Sequence, residues 1–195
     1  MTALERAIAK IDEANAADPK SDVHEGKSYP KEQIYGVRMM AWVERLEPDA
    51  SDALKIAARG QHIRRWEVPR SRYPVGKGGY YAWRTFLYGY HGEKAGKIMA
   101  DAGYGADEIG EMKAIMDKKN LRRNAGTQTL EDAAALVFLE NHFVDFAHRD
   151  DMDDGKLVDI LRKTWGKMSE RGQSAALELV LPDEASVLIQ KALSS

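Results

Sequence analysis

The chain has 195 residues, balances 29 Lys and Arg against 31 Asp and Glu for a formal charge of −2, and contains no cysteine. This composition excludes disulfides, thiolate nucleophiles and cysteine-held metal or iron–sulfur centres, and it excludes polyanion binding through bulk charge. Hydrophobic residues at 44% and charged residues at 31% describe a globular chain, no apolar run approaches the roughly 18 residues of a membrane span, and the N-terminal "MTALERAIAKIDEANAADP" lacks the basic-then-apolar order of a signal peptide, so one cytoplasmic domain over 1–195 is expected.

Taken in chain order, helical periodicity dominates, and no alternating β-branched run demands a sheet. Residues 3–16 repeat apolar positions at helical spacing up to the Asp18-Pro19 breaker, and "KSDVHEGKSYP" reads as a polar loop. A second helix is expected from about Pro30 to Leu46, since proline suits a first turn. Ser51 then caps a third helix running to about Trp66. "EVPRSRYPVGKGG" is too long and too rich in Pro and Gly for a tight turn, which makes it a candidate functional loop. Further helices are expected at 79–102, 105–120, 128–148, 153–168 and in a pair over 172–193 interrupted at Pro182, with Gly103 and Gly126 as C-caps or turns. No fixed-period repeat is present. The fold class that follows is all-α, a single-domain helical bundle.

Several polar residues interrupt faces that otherwise point to a core. Tyr35 opens the stripe Tyr35, Met39, Trp42, Leu46 at spacings of four, three and four. Gln61 closes a stripe with Leu54 and Ala58, and His62 lies between Ala58 and Trp66 on an overlapping one. Asp132 heads the series Leu136, Leu139, Phe143, Phe146, and a buried carboxylate is costly unless paired or hydrogen-bonded. Each has an ordinary structural explanation: a satisfied core hydroxyl, a hydrogen-bonded histidine, a carboxylate serving a helix start. Together, beside a basic and aromatic loop, they form the kind of pocket that holds a polar ligand. His24 falls in the polar loop and receives no role. His142 and His148 are six apart and do not share a face well, and "DDMDD" at 150–154 lacks the glycine and distal glutamate of a calcium-binding loop.

Residues 59–91 hold seven basic residues against the single acid Glu67, a local charge of +6 that leaves −8 for the rest of the chain, and five of its eight tyrosines. Arg64, Arg65, Arg70 and Arg72 supply planar forks suited to phosphate or carboxylate, joined by Lys77 and Arg84. "GKGG" brings backbone amides to the start of the next helix, although its spacing is not that of a phosphate-binding Walker loop. Trp66, Tyr73, Tyr80, Tyr81 and Trp83 are candidates to stack on a base. The competing explanation is that the aromatics anchor the loop while the arginines pair with the acidic surplus elsewhere.

The stretches "YPKEQIYGVRMMAWVERL", "AARGQHIRRWEVPRSRYPVGKGGYYAWR", "LEDAAALVFLE" and "LRKTWGKMS" resemble the family called domain of unknown function 4202 over nearly the whole chain. A more distant similarity is to the HD-domain phosphohydrolases, all-α proteins that hold one or two metal ions with a His, a His-Asp pair and a later Asp. That resemblance places the first His position on Tyr35, the pair on Gln61-His62 and the last Asp on Asp132; "RYPVGKGGY" is also similar to a glycine-tyrosine-proline motif of some HD proteins. Tyr and Gln are poor replacements for imidazole, and His in place of Asp removes a hard oxygen donor. The resemblance therefore implies an HD-like helical pocket whose usual metal centre is dismantled.

The expected function is binding, with hydrolysis left open, of a phosphorylated or otherwise anionic small metabolite or nucleotide. His62 and Asp132 are the acid–base candidates, and Tyr35, Gln61, Arg64, Arg65, Arg70, Arg72, Lys77, Tyr80 and Arg84 the substrate contacts; no metal and no cofactor are implied. The rivals are a hydrolase with His62 as base or with a metal on His62, His91, Asp132 and Glu140, an RNA-binding module and a protein-interaction module.

Overall fold

The computed structural model describes residues 1–118, 121 and 123–194. These form a helical protein with one small two-stranded sheet, and the chain divides into two compact units, Met1–Leu130 and Glu131–Ser195.

The first unit opens with α1 (Ala3–Asn15), where Thr2 and Glu5 form a reciprocal capping box. The expected loop after it is instead a hairpin of β1 (Ser21–His24) and β2 (Lys27–Pro30). Glu25 and Gly26 both adopt positive φ, 49° and 74°, the left-handed pair that lets a two-residue turn match the twist of its strands. Arg38 fastens the hairpin to the helix behind it, donating from Nη1 to Asp22 at 2.8 Å and from Nη2 to the Val23 carbonyl at 3.0 Å. Pro30 then sits at the N-cap of α2 (Lys31–Leu46).

Ser51 caps α3 as expected, accepting from the Leu54 amide at 3.2 Å. But α3 spans only Asp52–Gly60, six residues short of its expected end. The chain leaves the helix because Arg64 takes a left-handed conformation (φ 52°), with its amide donating to Asn15 Oδ1 at 3.0 Å, and residues 65–67 and 70–72 continue as single 3₁₀ turns. Helix α4 (Lys77–Ala102) ends on Gly103 at φ 99°, and α5 (Ala106–Met116) follows; the last two positions of the expected 105–120 helix lie outside the described residues. Ile11, Met39, Val43, Leu54, Ile56, Leu87, Met99, Met112 and Ile115 fill the core between these helices. The α2–α3 packing is close enough that a Cβ on Gly36 would stand 2.5 Å from the Arg59 carbonyl oxygen. No helix among the described residues is long and apolar enough to cross a membrane.

Helix α6 (Ala125–Asn141) begins in the first unit, and Gly126 is its second residue, at a helix start and not a C-cap. In the second unit the expected 128–148 helix is broken at His142 (φ −131°), which separates α6 from the short α7 (Phe143–Ala147). Helices α8 (Asp154–Trp165), α9 (Glu170–Leu177) and α10 (Asp183–Leu193) complete it, with α8 packed on α10. Leu136, Leu139, Phe143, Leu157, Leu161 and Met168 are its principal buried side chains.

Candidate functional site

The polar stripes of α2 and α3 meet at the end of α3. Nδ1 of His62 donates to Glu32 Oε2 at 3.0 Å, and the Tyr35 ring stacks on the imidazole with centroids 4.1 Å apart and planes 8° from parallel. His91, from the middle of α4, brings a second imidazole to 6.0 Å from the first. Its Nδ1 donates to the Ile63 carbonyl at 2.9 Å, which fixes the tautomer and leaves Nε2 as a bare acceptor. That atom is buried without a hydrogen-bond partner among the described residues, as is Oε1 of Gln61. Burial, reinforced by the neighbouring His62, pushes the His91 pKa down to about 3, so the ring is neutral at physiological pH.

Asp132 is fully buried in the second unit. Its carboxylate serves the start of a different helix from its own, accepting from the Ser169 amide at 2.9 Å and from the Ser169 hydroxyl at 2.5 Å. Ser169 in turn caps α9 by accepting from the Gly172 amide at 3.1 Å. In the first unit the carboxylate on His62 Nδ1 is that of Glu32, three residues before Tyr35 and on the same face of α2, a spacing that the sequence already contains. Among the described residues no group of three or more His, Asp or Glu could hold a metal ion. His91 is buried on the series Leu87, His91, Ala95, Met99, a four-residue repeat that marks it as a core position.

The basic residues of the segment divide into those with internal work and those without. Arg59 makes a fork on Asp12, with both hydrogen bonds at 2.7 Å. Arg64 donates from Nε to Glu67 at 2.6 Å, Arg65 lies over the Trp83 ring at 4.6 Å, and Arg84 reaches the hydroxyls of Tyr88 at 2.6 Å and Tyr80 at 3.4 Å. Arg70 organises the loop, donating to the carbonyls of Tyr73, Pro74 and Gly76 at 2.9, 2.8 and 3.2 Å. The same loop needs glycine at position 79, where a Cβ would stand 1.9 Å from the Pro74 carbonyl oxygen. Trp83 fastens α4 to this loop through Nε1, which donates to the Val68 carbonyl at 2.8 Å. Lys77 is exposed, 5.8 Å from the Tyr81 ring. Arg72 is exposed and its guanidinium makes no hydrogen bond or ion pair among the described residues.

Arg72 lines an open recess of about 400 Å³ together with Glu67, Val68, Tyr73, Phe86 and Tyr90. Burial alone would raise the Glu67 pKa, but the Tyr90 hydroxyl and the adjoining Arg64 and Lys94 hold the carboxyl below its usual range. Burial and that carboxylate push the Tyr90 phenol up, so its proton stays in place as a donor to Glu67. With Arg64 and Lys94 both on Glu67, the carboxylate charge is more than compensated and Arg72 adds a further positive charge. Tyr90 also packs edge-on against His91 at 5.6 Å, which joins the recess to that buried histidine. Phe86, Tyr90 and Glu67 are absent from the contacts expected from the sequence; the four-residue spacing of Phe86 and Tyr90 is their signal there.

The sequence profile of the family described as Domain of unknown function (DUF4202) matches residues 5–189, and the chain belongs to that family. No curated protein and no solved structure matches the chain.

Proposed function

We propose that this protein binds a phosphorylated or otherwise anionic small molecule at the recess between the 67–73 turns and α4. The observation that carries the reading is Arg72, a guanidinium without an internal partner among the described residues, at the edge of a recess whose one carboxylate is already compensated. A planar fork is suited to bidentate recognition of phosphate or carboxylate. Arg64, Arg65, Arg70 and Arg84 then shape the site through their internal bonds, while Arg72, with Lys77 as an outer charge, supplies the attraction. The HD-like pocket implied by the resemblance supplies the catalytic half of the proposal: His62, oriented by Glu32, is the general base if a bound phosphorylated ligand is hydrolysed.

The test is a thermal-shift screen against inorganic phosphate, phosphorylated metabolites and nucleotides. A ligand at 100 times its Kd stabilises the fold by about 2.7 kcal/mol. The expected result is a shift from anions that is abolished in Arg72→Ala, and phosphate release from that ligand then measures turnover. A second reading is favoured by the exposed Tyr80 and Tyr81 beside Lys77: stacking of single-stranded RNA. Its mark is RNA affinity that falls steeply with salt and is reduced by Lys77→Ala.

A further inference from the structure

Resting on the anion-binding reading, we infer that the occupant of the recess is an anion carried on a planar aromatic ring, not a bare phosphate and not a sugar phosphate. The walls of the recess limit what can fill it. Tyr73, Phe86 and Tyr90 form a run of rings: Tyr73 to Phe86 is 6.3 Å between centroids, and Phe86 to Tyr90 is 6.0 Å with planes 27° apart. Phe86 is half exposed although it belongs to this run, and the Val68 side chain beside it is buried. Such a surface gains from covering by a flat apolar body, in the offset or tilted arrangements that aromatic rings prefer.

The polar groups of the recess are mostly engaged. Tyr90 donates its hydroxyl to Glu67, and Glu67 also receives Arg64 and Lys94. Arg72 and the Tyr73 hydroxyl are the lining groups without a hydrogen bond among the described residues. A polyol would bring several hydroxyls to a wall with few free partners, and each buried without one costs free energy. A ring with a phosphate or carboxylate at its edge needs only a stacking surface and one or two charged or hydroxyl partners, which matches this inventory. A volume of about 400 Å³ falls within the range of small-molecule sites, roughly 300–1,000 Å³.

The experiment is calorimetric titration of the full chain with four probes that separate charge from ring: methyl phosphate, phenyl phosphate, benzyl alcohol and glucose 6-phosphate. The expected result is that phenyl phosphate binds about tenfold more tightly than methyl phosphate or glucose 6-phosphate, a factor within reach of one stacked ring. Benzyl alcohol is expected not to compete with it. Phe86→Ala should bring the affinity for phenyl phosphate down to that for methyl phosphate; Phe86 is half exposed, so the variant keeps the core intact, and its melting temperature verifies this. Equal affinity for methyl and phenyl phosphate, or tighter binding of glucose 6-phosphate, overturns the ring and leaves the anion reading standing. Competition by benzyl alcohol at the affinity of phenyl phosphate overturns the requirement for an anion. Failure of all three phosphates to bind overturns the anion reading and this inference with it.

Discussion

Around His91 the 59–91 segment turns its polar groups inward: one imidazole is neutral and fixed on a backbone carbonyl, and a second is held by Glu32 and covered by Tyr35. Around Arg72 the same segment leaves a guanidinium, a phenylalanine ring and a tyrosine hydroxyl open to solvent or to a ligand. Both regions arise from the same sequence signal, polar and aromatic residues crowded together, and they differ in what their neighbours supply. The histidines receive a carboxylate from α2 and a carbonyl from the turn after α3, whereas the acid nearest Arg72 in the recess, Glu67, is already engaged by Arg64 and Lys94. A cluster of polar residues thus marks where partners are required; the fold decides which of them stay available.

The inward-facing region is disturbed most severely by Gly36→Ala, because its Cβ would meet a backbone oxygen of α3 and not a flexible side chain. We expect a loss of about 3 kcal/mol in urea unfolding, the upper range for overpacking, and rupture of the hydrogen bond between His62 and Glu32 as α2 and α3 move apart. A cost below about 1 kcal/mol would show that the α2–α3 packing yields readily. Acid acts on the same region. His91 has its folded pKa depressed to about 3 from 6.5, so the stability tied to its neutral form is fully present above 6.5 and falls away as pH drops toward 3. Between those values the unfolded chain holds a proton that the folded chain lacks, and this one group gives a slope approaching about 1.4 kcal/mol per pH unit. Glu67, also depressed, acts in the same direction at lower pH. Melting curves of His91→Gln should lose the slope between pH 6 and pH 4 that the parent shows.

Two arginine substitutions separate the regions at smaller scale. Arg70→Ala removes three hydrogen bonds to loop carbonyls and should cost about 1–2 kcal/mol by chemical unfolding, weakening phosphate binding indirectly through the loop. Arg72→Ala should leave unfolding within about 0.5 kcal/mol of the parent and act on binding alone. Were Arg72→Ala as destabilising as Arg70→Ala, the two residues would share a structural role and the recess would lose the cation on which anion binding depends.

The sequence discloses what is governed by neighbours in the chain. Ser51 as a cap, Gly103 as a helix end, and the burial of Leu136, Leu139 and Phe143 all follow from local rules of spacing and capping. It falls short where distant residues decide. Helix α3 stops at Gly60 because Asn15, on α1, accepts the Arg64 amide, and nothing near position 60 announces that. Asp132 reads as a helix-start carboxylate, and it is one, but for a helix 37 residues further on. Of the arginines, sequence shows only that they are close together; which of them meet an acid, a ring or a carbonyl depends on the path of the 67–79 loop, set by close approaches such as Gly79 on Pro74.

The bond from Asp132 to Ser169 also limits how the chain can be shortened. Any truncation that ends before Ser169 deletes the amide and the hydroxyl that this fully buried carboxylate accepts from, and so leaves a charge in the interior deprived of two donors. Fragments that stop at residue 168 should accordingly be degraded or recovered insoluble, while a trim confined to the last few residues of α10 leaves that anchorage intact; the permissible C-terminal boundary is set from inside α6.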